Sequence, residues 1–433
     1  MNAPGQSVDA PLSVEQARSA LGKLITRPLG DEEVALSDAH ERLLADDVRA
    51  PNNMPRYTNA ALDGVALGWR TSLPARWALA GSAFAGEAFK GRVEVGHCVW
   101  ITTGAPLPAG TDTVIPRERL TAHGSEVTLA APQGVAKGQN VRLAGEEIGE
   151  GETVLPARTR LDAAAMGLLA SLGFARVRVV KRPVVALFST GNEVTAPGET
   201  LPEAGVFDAN RFALMGLLRE AGADTRDLGI LPDDPAMIER ALALAGEQSD
   251  LVLTSAGVSV GSRDYTRAAL EHLGTLGFWR VALRPGKPLA CGVLGARRTP
   301  FLGLPGNPVA AMVTFHQFVA PLLARLEGLP DPAPARLTAL LEAPITGKRG
   351  RTDLIRGVYR GDEHGALRVR PTQAQGSGML TSMVAGNCLI ELDESMDGAA
   401  AGERVVIQPL GAPQSPTLAT FTGLRDGNDR ATD

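Results

Sequence analysis

The sequence contains few residues of the kinds that build disulfide frameworks or zinc centres. Its 433 residues include three cysteines, Cys98, Cys291 and Cys388, which lie far apart, and six histidines, none in HxxxH spacing. This usage argues against a disulfide scaffold, a thiolate metal site or a zinc centre. It is typical of a protein kept in a reducing compartment, so we expect a cytoplasmic location.

The sequence also lacks an excess of basic residues, a long apolar run and a secretory leader. Lysine and arginine number 43 against 48 acidic residues, a net charge of −5 that gives no general attraction to nucleic acid or to an anionic membrane. No stretch is apolar over the roughly 18 residues that a spanning helix needs, and the N-terminus has neither a basic start nor an apolar run. We therefore predict no nucleic-acid or membrane partner, and any cationic site has to be local.

The length and the hydrophobic pattern predict several domains, because a chain of this size exceeds a single core. Short β-like runs between Gly and Pro turns indicate a small β-rich domain over residues 46–145. Apolar strands alternating with amphipathic helices over residues 178–330 predict an α/β domain whose parallel sheet is covered on both faces. The pattern over residues 335–411 predicts a C-terminal β-domain. Two separate stretches, residues 13–45 and 146–177, are expected to form a further N-terminal domain together. The expected fold class is multidomain α/β, with β-rich N-terminal and C-terminal domains.

Local patterns predict several helix starts and one hairpin. Ser13 with Gln16 forms a capping-box pattern, and Asp162 is expected to cap a helix that ends at Gly173. Asp63-Gly64 is a dipeptide that is common in hairpin turns. Further caps are expected at the helices that begin near Arg211 and Pro235, from Asp208, Asn210 and Asp234.

Three predicted strands of the α/β domain end in polar turns that could hold a phosphate. Val184–Phe188, Leu251–Thr254 and Phe301–Leu304 run into "STGNE", "SAGVSVG" and "PGNP". Ligands bind beyond the carboxyl ends of parallel strands, and glycine lets backbone N–H groups approach an anion. Each turn alone is equally consistent with a helix cap or an ordinary βα turn, but three turns on one sheet edge favour a site. The candidate binding residues are Thr190, Gly191, Gly257, Ser259, Gly261, Pro305, Gly306 and Asn307.

Cations and carboxylates complete the candidate site. The stretch "WRVALRPGKP" supplies Arg280, Arg284 and Lys287, and a strand over Phe278–Leu283 would place both arginines on one side, where their planar forks suit an oxyanion. A solvated surface cluster is the alternative interpretation.

Three carboxylates, Glu193, Asp233 and Asp264, each follow a strand and could hold Mg²⁺ beside a polyphosphate. Asp233 and Asp264 also fit helix starts. These residues predict a nucleotide- or phosphate-ester site with Mg²⁺ and leave its ligand open.

At these residues the sequence resembles the MoeA family of molybdopterin molybdenumtransferases, which correspond to the C-terminal part of gephyrin. The matching motifs cover nearly the whole chain in the family's order. They are "NAALDGVAL", "TTGAPLPAGTDTVIPRE", "NVRLAGEEI", "FSTGNEV", "TSAGVSVGSRDYT", "RPGKP", "LPGNPVAAMVTF", "GRTDLIRG" and "QGSGMLTSMVAGNCLIEL".

The resemblance implies an elongated homodimer of four-domain subunits in which residues 13–45 and 146–177 serve linking and dimerisation. It implies insertion of molybdate into adenylylated molybdopterin with Mg²⁺-dependent release of AMP. By the same resemblance Glu193, Asp233 and Asp264 match functional acids, and Arg280 and Arg284 stand at cationic positions of the family. Cleft residues of the other domains match at Asp63, Thr103, Arg142, Glu147, Arg356 and Ser377.

Several positions depart from the family pattern. Thr58 and Glu147 stand where aspartate is usual, Val65 where an aromatic residue is usual and Ala256 where glycine is usual, while Arg280 and Arg284 stand where lysine is frequent. Arginine for lysine keeps the charge but changes the geometry of the donors. We expect these changes to affect the rate and the metal site more than the reaction class.

Three other functions fit the sequence less well. The related molybdopterin adenylyltransferases share the α/β domain but usually lack the additional β-domains. A non-catalytic scaffold that kept the fold would have little need of Glu193, Asp233 and Asp264. A dinucleotide oxidoreductase is poorly supported, because no strand is followed by GxGxxG.

We expect Asp264→Ala to fold nearly normally and to cut turnover by roughly 10²-fold or more, as the loss of an electrostatic catalytic group does. The measurement is AMP release from adenylylated molybdopterin in the presence of molybdate and Mg²⁺. Unchanged turnover would remove Asp264 from the mechanism.

Overall fold

The computed structural model describes residues 11–71, 73–232, 234–255, 269, 271–330 and 333–410. It divides into two compact units: a small unit, Glu32–Val179, and a large unit made of Met1–Asp31 and Val180–Asp433. The large unit contains the α/β domain and the C-terminal β-domain.

The helices of the described residues are α1 (Val14–Gly22), α2 (Ala163–Ser171), α3 (Ala209–Glu220), α4 (Pro235–Gln248), α5 (Pro308–Leu326) and α6 (Thr381–Ala385). The first twelve strands are β1 (Asp31–Ala35), β2 (Val48–Arg49), β3 (Asn59–Ala60), β4 (Gly64–Leu67), β5 (Arg76–Ala83), β6 (His97–Ile101), β7 (Thr113–Pro116), β8 (Leu120–His123), β9 (Glu126–Leu129), β10 (Val141–Arg142), β11 (Thr153–Leu155) and β12 (Arg176–Val180).

The next nine strands are β13 (Val184–Thr190), β14 (Val194–Thr195), β15 (Val206–Phe207), β16 (Asp224–Leu231), β17 (Leu251–Ser255), β18 (Gly274–Arg280), β19 (Leu283–Arg284), β20 (Pro288–Leu294) and β21 (Thr299–Leu304). The last seven are β22 (Leu337–Leu341), β23 (Ile345–Thr346), β24 (Thr352–Gly361), β25 (Leu367–Pro371), β26 (Cys388–Leu392), β27 (Gly398–Ala399) and β28 (Arg404–Pro409).

The small unit is built on a six-stranded sheet in the order β7-β4-β6-β5-β9-β8. The pair β5–β6 is parallel and the other pairs are antiparallel. Its central strand β4 is buried along its whole length, because Val65 and Leu67 enter one apolar cluster and Ala66 enters another on the opposite face. The sequence-predicted β-rich character of this region is confirmed.

The predicted hairpin turn at Asp63-Gly64 is wrong. Gly64 is the first residue of β4 and pairs with both Ile101 and Pro116. A Cβ atom at this position would lie 1.9 Å from the carbonyl oxygen of Ile115. Glycine is therefore required here for the close approach of two strands and not for a turn.

The α/β domain has a six-stranded sheet in the order β16-β13-β17-β21-β20-β18. Strands β16, β13, β17 and β21 are parallel, whereas β20 and β18 are antiparallel to their neighbours. The expected fully parallel sheet is therefore wrong at one edge. Only residues 295–298 separate β20 from β21, and a connection this short cannot make the crossover that parallel neighbours require.

Helices cover both faces of this sheet, as the sequence predicted. Val185 and Leu187 of β13 pack in a core with α3 and α5, and Ala186 and Phe188 pack in a second core with α4. The predicted caps of the helices at Ser13, Asp162, Asp208 and Asp234 are all present, each accepting a backbone N–H of the first turn.

The C-terminal domain is a small closed barrel, because β24, β25, β22, β28 and β26 pair in turn and β26 pairs back onto β24. Tyr359, Ile390 and Ile407 belong to its buried interior cluster. Strand β19 pairs with the first two residues of β24, which β25 does not reach, and this pairs Arg284 with Asp353. The barrel confirms the predicted C-terminal β-domain.

The predicted single strand that would carry both Arg280 and Arg284 is wrong. Arg280 is the last residue of β18 and pairs with Pro288, the first residue of β20. The pairing of these two strands ends there. The N–H of Val281 instead donates to the Lys287 carbonyl at 2.8 Å, and that of Ala282 to the Leu12 carbonyl at 2.8 Å. The chain then joins the barrel as β19, which places the two arginines in different sheets.

Among the described residues, α5 alone has the length and apolar composition that would let a helix cross a membrane, which the sequence prediction did not anticipate. In the structure 72% of an apolar 18-residue stretch of α5 is buried. Phe315 and Phe318 of this helix lie in the core of the large unit. A core helix accounts for these properties.

We expect Gly64→Ala to destabilise the protein by about 3 kcal/mol or more, because a Cβ atom against a backbone carbonyl forces two strands apart. The matched control is Gly167→Ala in α2 of the same unit, where a Cβ atom meets nothing within 4 Å. That control should gain up to about 1 kcal/mol from helix propensity. Midpoints of urea-induced unfolding measure both effects. Equal midpoints for Gly64→Ala and wild type would show that the strands can yield.

Candidate functional site

Arg284 and Arg356 share one cavity. The cavity has a volume of about 270 Å³ and is lined by both arginines with residues of the barrel and the adjoining loops. Arg284 lies in β19, which pairs with β24. Its partner on β24 is Asp353, and Arg356 lies three residues further along the same strand. Arg284 is exposed, whereas Arg356 is only 2% exposed.

The Arg356 guanidinium is held by uncharged groups. Its Nε donates to the Ser382 hydroxyl at 3.2 Å, and an Nη donates to the Gly376 carbonyl at 3.3 Å. Burial, and then the neighbouring Arg284, lower the pKa of Arg356 to about 10. The side chain is therefore still cationic at neutral pH, in a place where its charge is poorly solvated.

The carboxylate in this cavity is already paired. Asp353 accepts the Lys348 N–H at 2.9 Å and lies 3.1 Å from an Nη of Arg351. Among the described residues no carboxylate forms an ion pair with Arg284 or Arg356. Two arginines that line one small cavity, with Arg284 near enough to lower the pKa of Arg356, are suited to attract a compact oxyanion.

Two other predicted site residues, Asn307 and Ser377, meet beside α5. The Asn307 side-chain amide donates to the Ser377 hydroxyl at 3.1 Å, and the N–H of Val309 donates to the Ser377 carbonyl at 3.1 Å. Asn307 and Pro308 begin the helix as the sequence predicted, but the Asn307 side chain makes no capping bond. The Ser377 carbonyl, on a loop of the C-terminal domain, thus accepts a first-turn N–H of α5 that the Asn307 side chain does not cap.

The end of β13 presents a free carboxylate. Thr190 ends the strand in a buried position, and Gly191 follows with φ at +128°. A Cβ atom on Gly191 would lie 2.7 Å from both carboxylate oxygens of Glu193. Within the described ranges the Glu193 carboxylate forms neither an ion pair nor a hydrogen bond. Gly191 is therefore needed to let an exposed, unpaired acid fold back over the strand end.

Asn210 also lies at this sheet edge. The sequence predicted only a helix cap at this residue. Asp208 makes the cap, whereas the Asn210 amide nitrogen donates to the Ser255 hydroxyl and to the Gly306 carbonyl, both at 2.7 Å. Its amide oxygen is buried and accepts no hydrogen bond from the residues that the structure describes. Asn210 thus ties the end of β17 to the turn after β21. Nothing in the sequence distinguishes this role from capping.

Arg280 and Lys287 flank the loop between β18 and β20, and both side chains are exposed. The loop is fixed by its backbone, since Leu12 donates its N–H to the Arg280 carbonyl at 2.8 Å. Gly286 has φ at +120°, and a Cβ atom there would meet a Thr314 methyl of α5 at 2.6 Å. The structure thus brings Arg284 to Arg356 but leaves Arg280 on a different sheet.

In the small unit, Asp63 and Thr103 form one hydrogen-bonded pair. Both the N–H and the hydroxyl of Thr103 donate to the same Asp63 oxygen, at 2.8 and 2.7 Å. These bonds, the backbone one first, lower the pKa of Asp63. Both side chains are exposed, so an ionised carboxylate stands ready at the surface of this unit.

Arg142 and Glu147 lie at the two ends of residues 142–147, a loop held by the contacts of both ends and of Ala144. Arg142 pairs with Asn59 between β10 and β3, and the Glu147 N–H donates to the Met54 carbonyl at 3.1 Å. The Thr58 hydroxyl accepts the N–H of Ala144 at 3.2 Å. Threonine at this position therefore supports the loop that follows Arg142.

Five predicted site residues lie outside the described residues: Asp233, Gly257, Ser259, Gly261 and Asp264. The described part of the chain contains no group of three or more His, Cys, Asp or Glu side chains able to hold a metal ion. Glu193 is therefore the one predicted metal ligand whose surroundings can be described.

Family models match most of the chain. The N-terminal region of MoeA (domains I and II) matches residues 12–173, a probable molybdopterin-binding domain matches residues 186–325, and the C-terminal region of MoeA (domain IV) matches residues 338–410.

Curated relatives and solved structures agree with these matches. A molybdopterin molybdenumtransferase of Haemophilus influenzae is 38% identical over 92% of this chain and 98% of its own length. One from Nostoc is 32% identical over 88% of each chain. The solved MoeA protein of Pyrococcus horikoshii, a molybdopterin biosynthesis protein, superposes with a TM-score of 0.79 at 27% identity, covering 92% of this chain and all of that one. With these similarities spanning all its domains, the chain belongs to the MoeA family.

Proposed function

We propose that this protein is an enzyme that inserts molybdate into adenylylated molybdopterin and releases AMP. The observation that carries the proposal is the cavity lined by both Arg284 and Arg356, neither of which forms an ion pair with a carboxylate of the described residues, in a chain of the MoeA family. Molybdate is a compact oxyanion with two negative charges, and an arginine fork can donate two bonds to it. The cavity is the proposed molybdate site.

The sheet edge of the α/β domain is the proposed site for the molybdopterin nucleotide. Thr190, Gly191, Gly306 and Asn307 lie at the carboxyl ends of β13 and β21, where open α/β sheets bind ligands. Gly257, Ser259 and Gly261 are proposed to continue this site after β17. Pro305, Lys287 and Arg280 are proposed to border it, and Ser377 is proposed to contact the ligand beside Asn307.

Mg²⁺ is the proposed metal, and the described residues fit it in part. The Glu193 carboxylate is exposed and forms no ion pair with any residue that the structure describes, and Mg²⁺ prefers such oxygen ligands. Glu193 would hold the ion together with Asp233 and Asp264. When bound, Mg²⁺ shields the charge of the phosphates and polarises the anhydride.

The chain's own groups then have separate tasks. The two arginines hold molybdate near the dithiolene of the pterin, so that a bimolecular encounter becomes a positioned one. Water cleaves the phosphoanhydride, leaving AMP and the molybdenum-loaded pterin phosphate. Charge that develops on the phosphate oxygens is stabilised by the backbone N–H groups of the strand-end turns.

The partners and location belong to the same proposal. We infer a cytoplasmic homodimer with domain boundaries at residues 13–45 with 146–177, 46–145, 178–330 and 335–411. Residues of the small unit are proposed to contact molybdopterin, in one protomer or across the dimer: Asp63, Thr103, Arg142 and Glu147. Other cofactor-biosynthesis proteins and molybdoenzymes that accept the cofactor are the further partners.

AMP release tests the proposal against its alternatives. Purified protein is mixed with adenylylated molybdopterin, Mg²⁺ and molybdate, and AMP is followed. We expect molybdate-dependent release that chelation of Mg²⁺ abolishes. Synthesis of the adenylate from ATP would identify an adenylyltransferase instead, and binding without turnover would identify a scaffold.

We expect Arg356→Gln to raise the KM for molybdate by about 10- to 100-fold, because charge-assisted hydrogen bonds are worth about 1.5–3 kcal/mol. The matched control is Arg349→Gln in the same domain, which removes an exposed cation whose partner, Asp397, is also exposed. The control should keep the wild-type KM. Equal KM values for Arg356→Gln and Arg349→Gln would exclude the cavity as the molybdate site.

A further inference from the structure

Strand β24 is flanked by an interrupted series of strands on one of its edges. Strand β19 pairs with its first two residues, Thr352 and Asp353, and β25 pairs with it from Gly357 onward. Strand β26 pairs with residues 353–357 without a break. Because Asp353 pairs with both β19 and β26, and Gly357 with both β25 and β26, β19 and β25 must share the other edge. Residues 354–356 therefore lie at a gap between these two strands.

The cavity lined by Arg284 and Arg356 lies at this gap. Its lining includes Arg284 and Pro285 at the end of β19, and Pro371 and Thr372 at the end of β25. The three residues of β24 between those strands line it as well. The proposed molybdate site is thus an opening along one strand edge, and the buried cation belongs to the strand that borders it.

A gap of this kind leaves backbone groups of the strand in need of other partners, because buried N–H and C=O groups have to be paired. The Arg356 carbonyl accepts the N–H of Thr372, the residue that follows β25, at 2.8 Å. The Gln375 side chain supplies the rest. Its amide oxygen accepts the Arg356 N–H at 3.1 Å, and its amide nitrogen donates to the Arg356 carbonyl at 2.9 Å. One side chain thus exchanges both bonds with Arg356, as a paired residue of an antiparallel strand does.

The Gln375 amide has no N–H left over for an anion, although Gln375 lines the cavity. Its nitrogen also donates to the carbonyl and to the hydroxyl of Thr372, at 2.8 and 2.9 Å. A primary amide has two N–H groups and its oxygen can only accept. Three acceptors therefore share two donors, and the remaining lone pair does not attract an oxyanion. The geometry of Gln375 suits the support of Arg356 and not contact with the substrate.

The residue after Gln375 holds the other end of Arg356. The Gly376 carbonyl accepts a bond from an Nη of the guanidinium at 3.3 Å, while the Ser382 hydroxyl accepts one from Nε at 3.2 Å. Two consecutive residues thus bind the backbone and the charged group of the same arginine. Because one peptide bond joins them, a displacement of Gln375 also displaces the Gly376 carbonyl.

We propose that Gln375 is a positioning residue that holds Arg356 at the cavity by completing the interrupted edge of β24. The proposal rests on the molybdate site argued above. A continued β25 would make the same backbone bonds but would close the gap. A side chain that makes them keeps the strand in place and leaves the opening free for an anion, which is the support that a binding group on a rigid element needs.

The barrel offers a matched control on the same strand. The Asn387 side chain accepts the Tyr359 N–H at 2.8 Å and donates to the Tyr359 carbonyl at 3.1 Å. It therefore makes the same two bonds to β24 as Gln375 does, and neither Asn387 nor Tyr359 lines the cavity. Removing this amide should cost stability without altering the molybdate site.

The test compares Gln375→Met with Asn387→Leu by thermal unfolding and by calorimetric titration with molybdate. Each substitution keeps the approximate shape of the side chain and removes both bonds to the backbone of β24. We expect both variants to unfold at a lower temperature, because each leaves backbone groups without their partner. Only Gln375→Met should weaken molybdate binding, by about tenfold, since a small misplacement of a binding group has effects of this size or larger.

Gln375→Asn is a milder second variant, which keeps the amide and sets it back from the Arg356 backbone by one methylene. We expect it to weaken molybdate binding in the same direction as Gln375→Met, with a smaller loss of thermal stability. This variant tests the positioning role even where Gln375→Met does not fold.

Arg356→Gln is titrated alongside as the reference for the site itself. Wild-type affinity in both Gln375 variants, with binding lost in Arg356→Gln, would overturn the positioning role and leave the molybdate site standing. An equal loss of affinity in Asn387→Leu would reduce the effect to general destabilisation and would also overturn the role. Absence of molybdate binding in wild type, or unchanged binding in Arg356→Gln, would remove the proposed molybdate site and the role of Gln375 with it.

Discussion

The structure of the large unit depends on keeping one buried cation, Arg356, in place, although no carboxylate of the described residues forms an ion pair with it. A guanidinium removed from water is costly, and within the described part of the chain a hydroxyl and a carbonyl accept its side-chain hydrogen bonds. A second cation, Arg284, lowers the pKa of Arg356 further. Two neighbouring cations repel each other, so this arrangement persists only where surrounding contacts hold both side chains in place. The closed barrel and the pairing of β19 with β24 supply those contacts.

The same constraint explains why the parts of the candidate site come from distant stretches of sequence. Arg284 follows the α/β sheet, Arg356 lies in the barrel, and Ser377 sits on a loop that supplies a carbonyl to the first turn of α5. None of these groups is local to another. The pairing of β19 with β24 nevertheless places both arginines in one rigid sheet, which suits a site for a small, highly charged ion. The proposed nucleotide end of the site is more local, since Gly191 and Glu193 belong to a single turn.

Much of the fold was readable from the sequence because its signals are local. Capping residues such as Ser13, Asp162 and Asp234 act on the next three residues, and the apolar runs of β13 and β17 indicate strands buried on both faces. Features set by pairing between distant segments were misjudged. Arg280 and Arg284 fall in different sheets because the partner strand begins at Pro288, and Gly64 is needed by a neighbouring strand and not by its own turn. Asn210 looked like a cap because its true acceptors, Ser255 and Gly306, are remote in the chain.

The short strand β19 has a consequence for how this chain could be divided. Leu283 and Arg284 leave the α/β domain's sequence to pair with Thr352 and Asp353 of the barrel. A fragment that contained only the barrel would expose the backbone groups of β24 on that edge, and unpaired edges invite association with other chains. The two domains are therefore poor candidates for separate expression or for exchange between proteins. In this chain, separating the two modules would remove the backbone partners that β19 and β24 give each other.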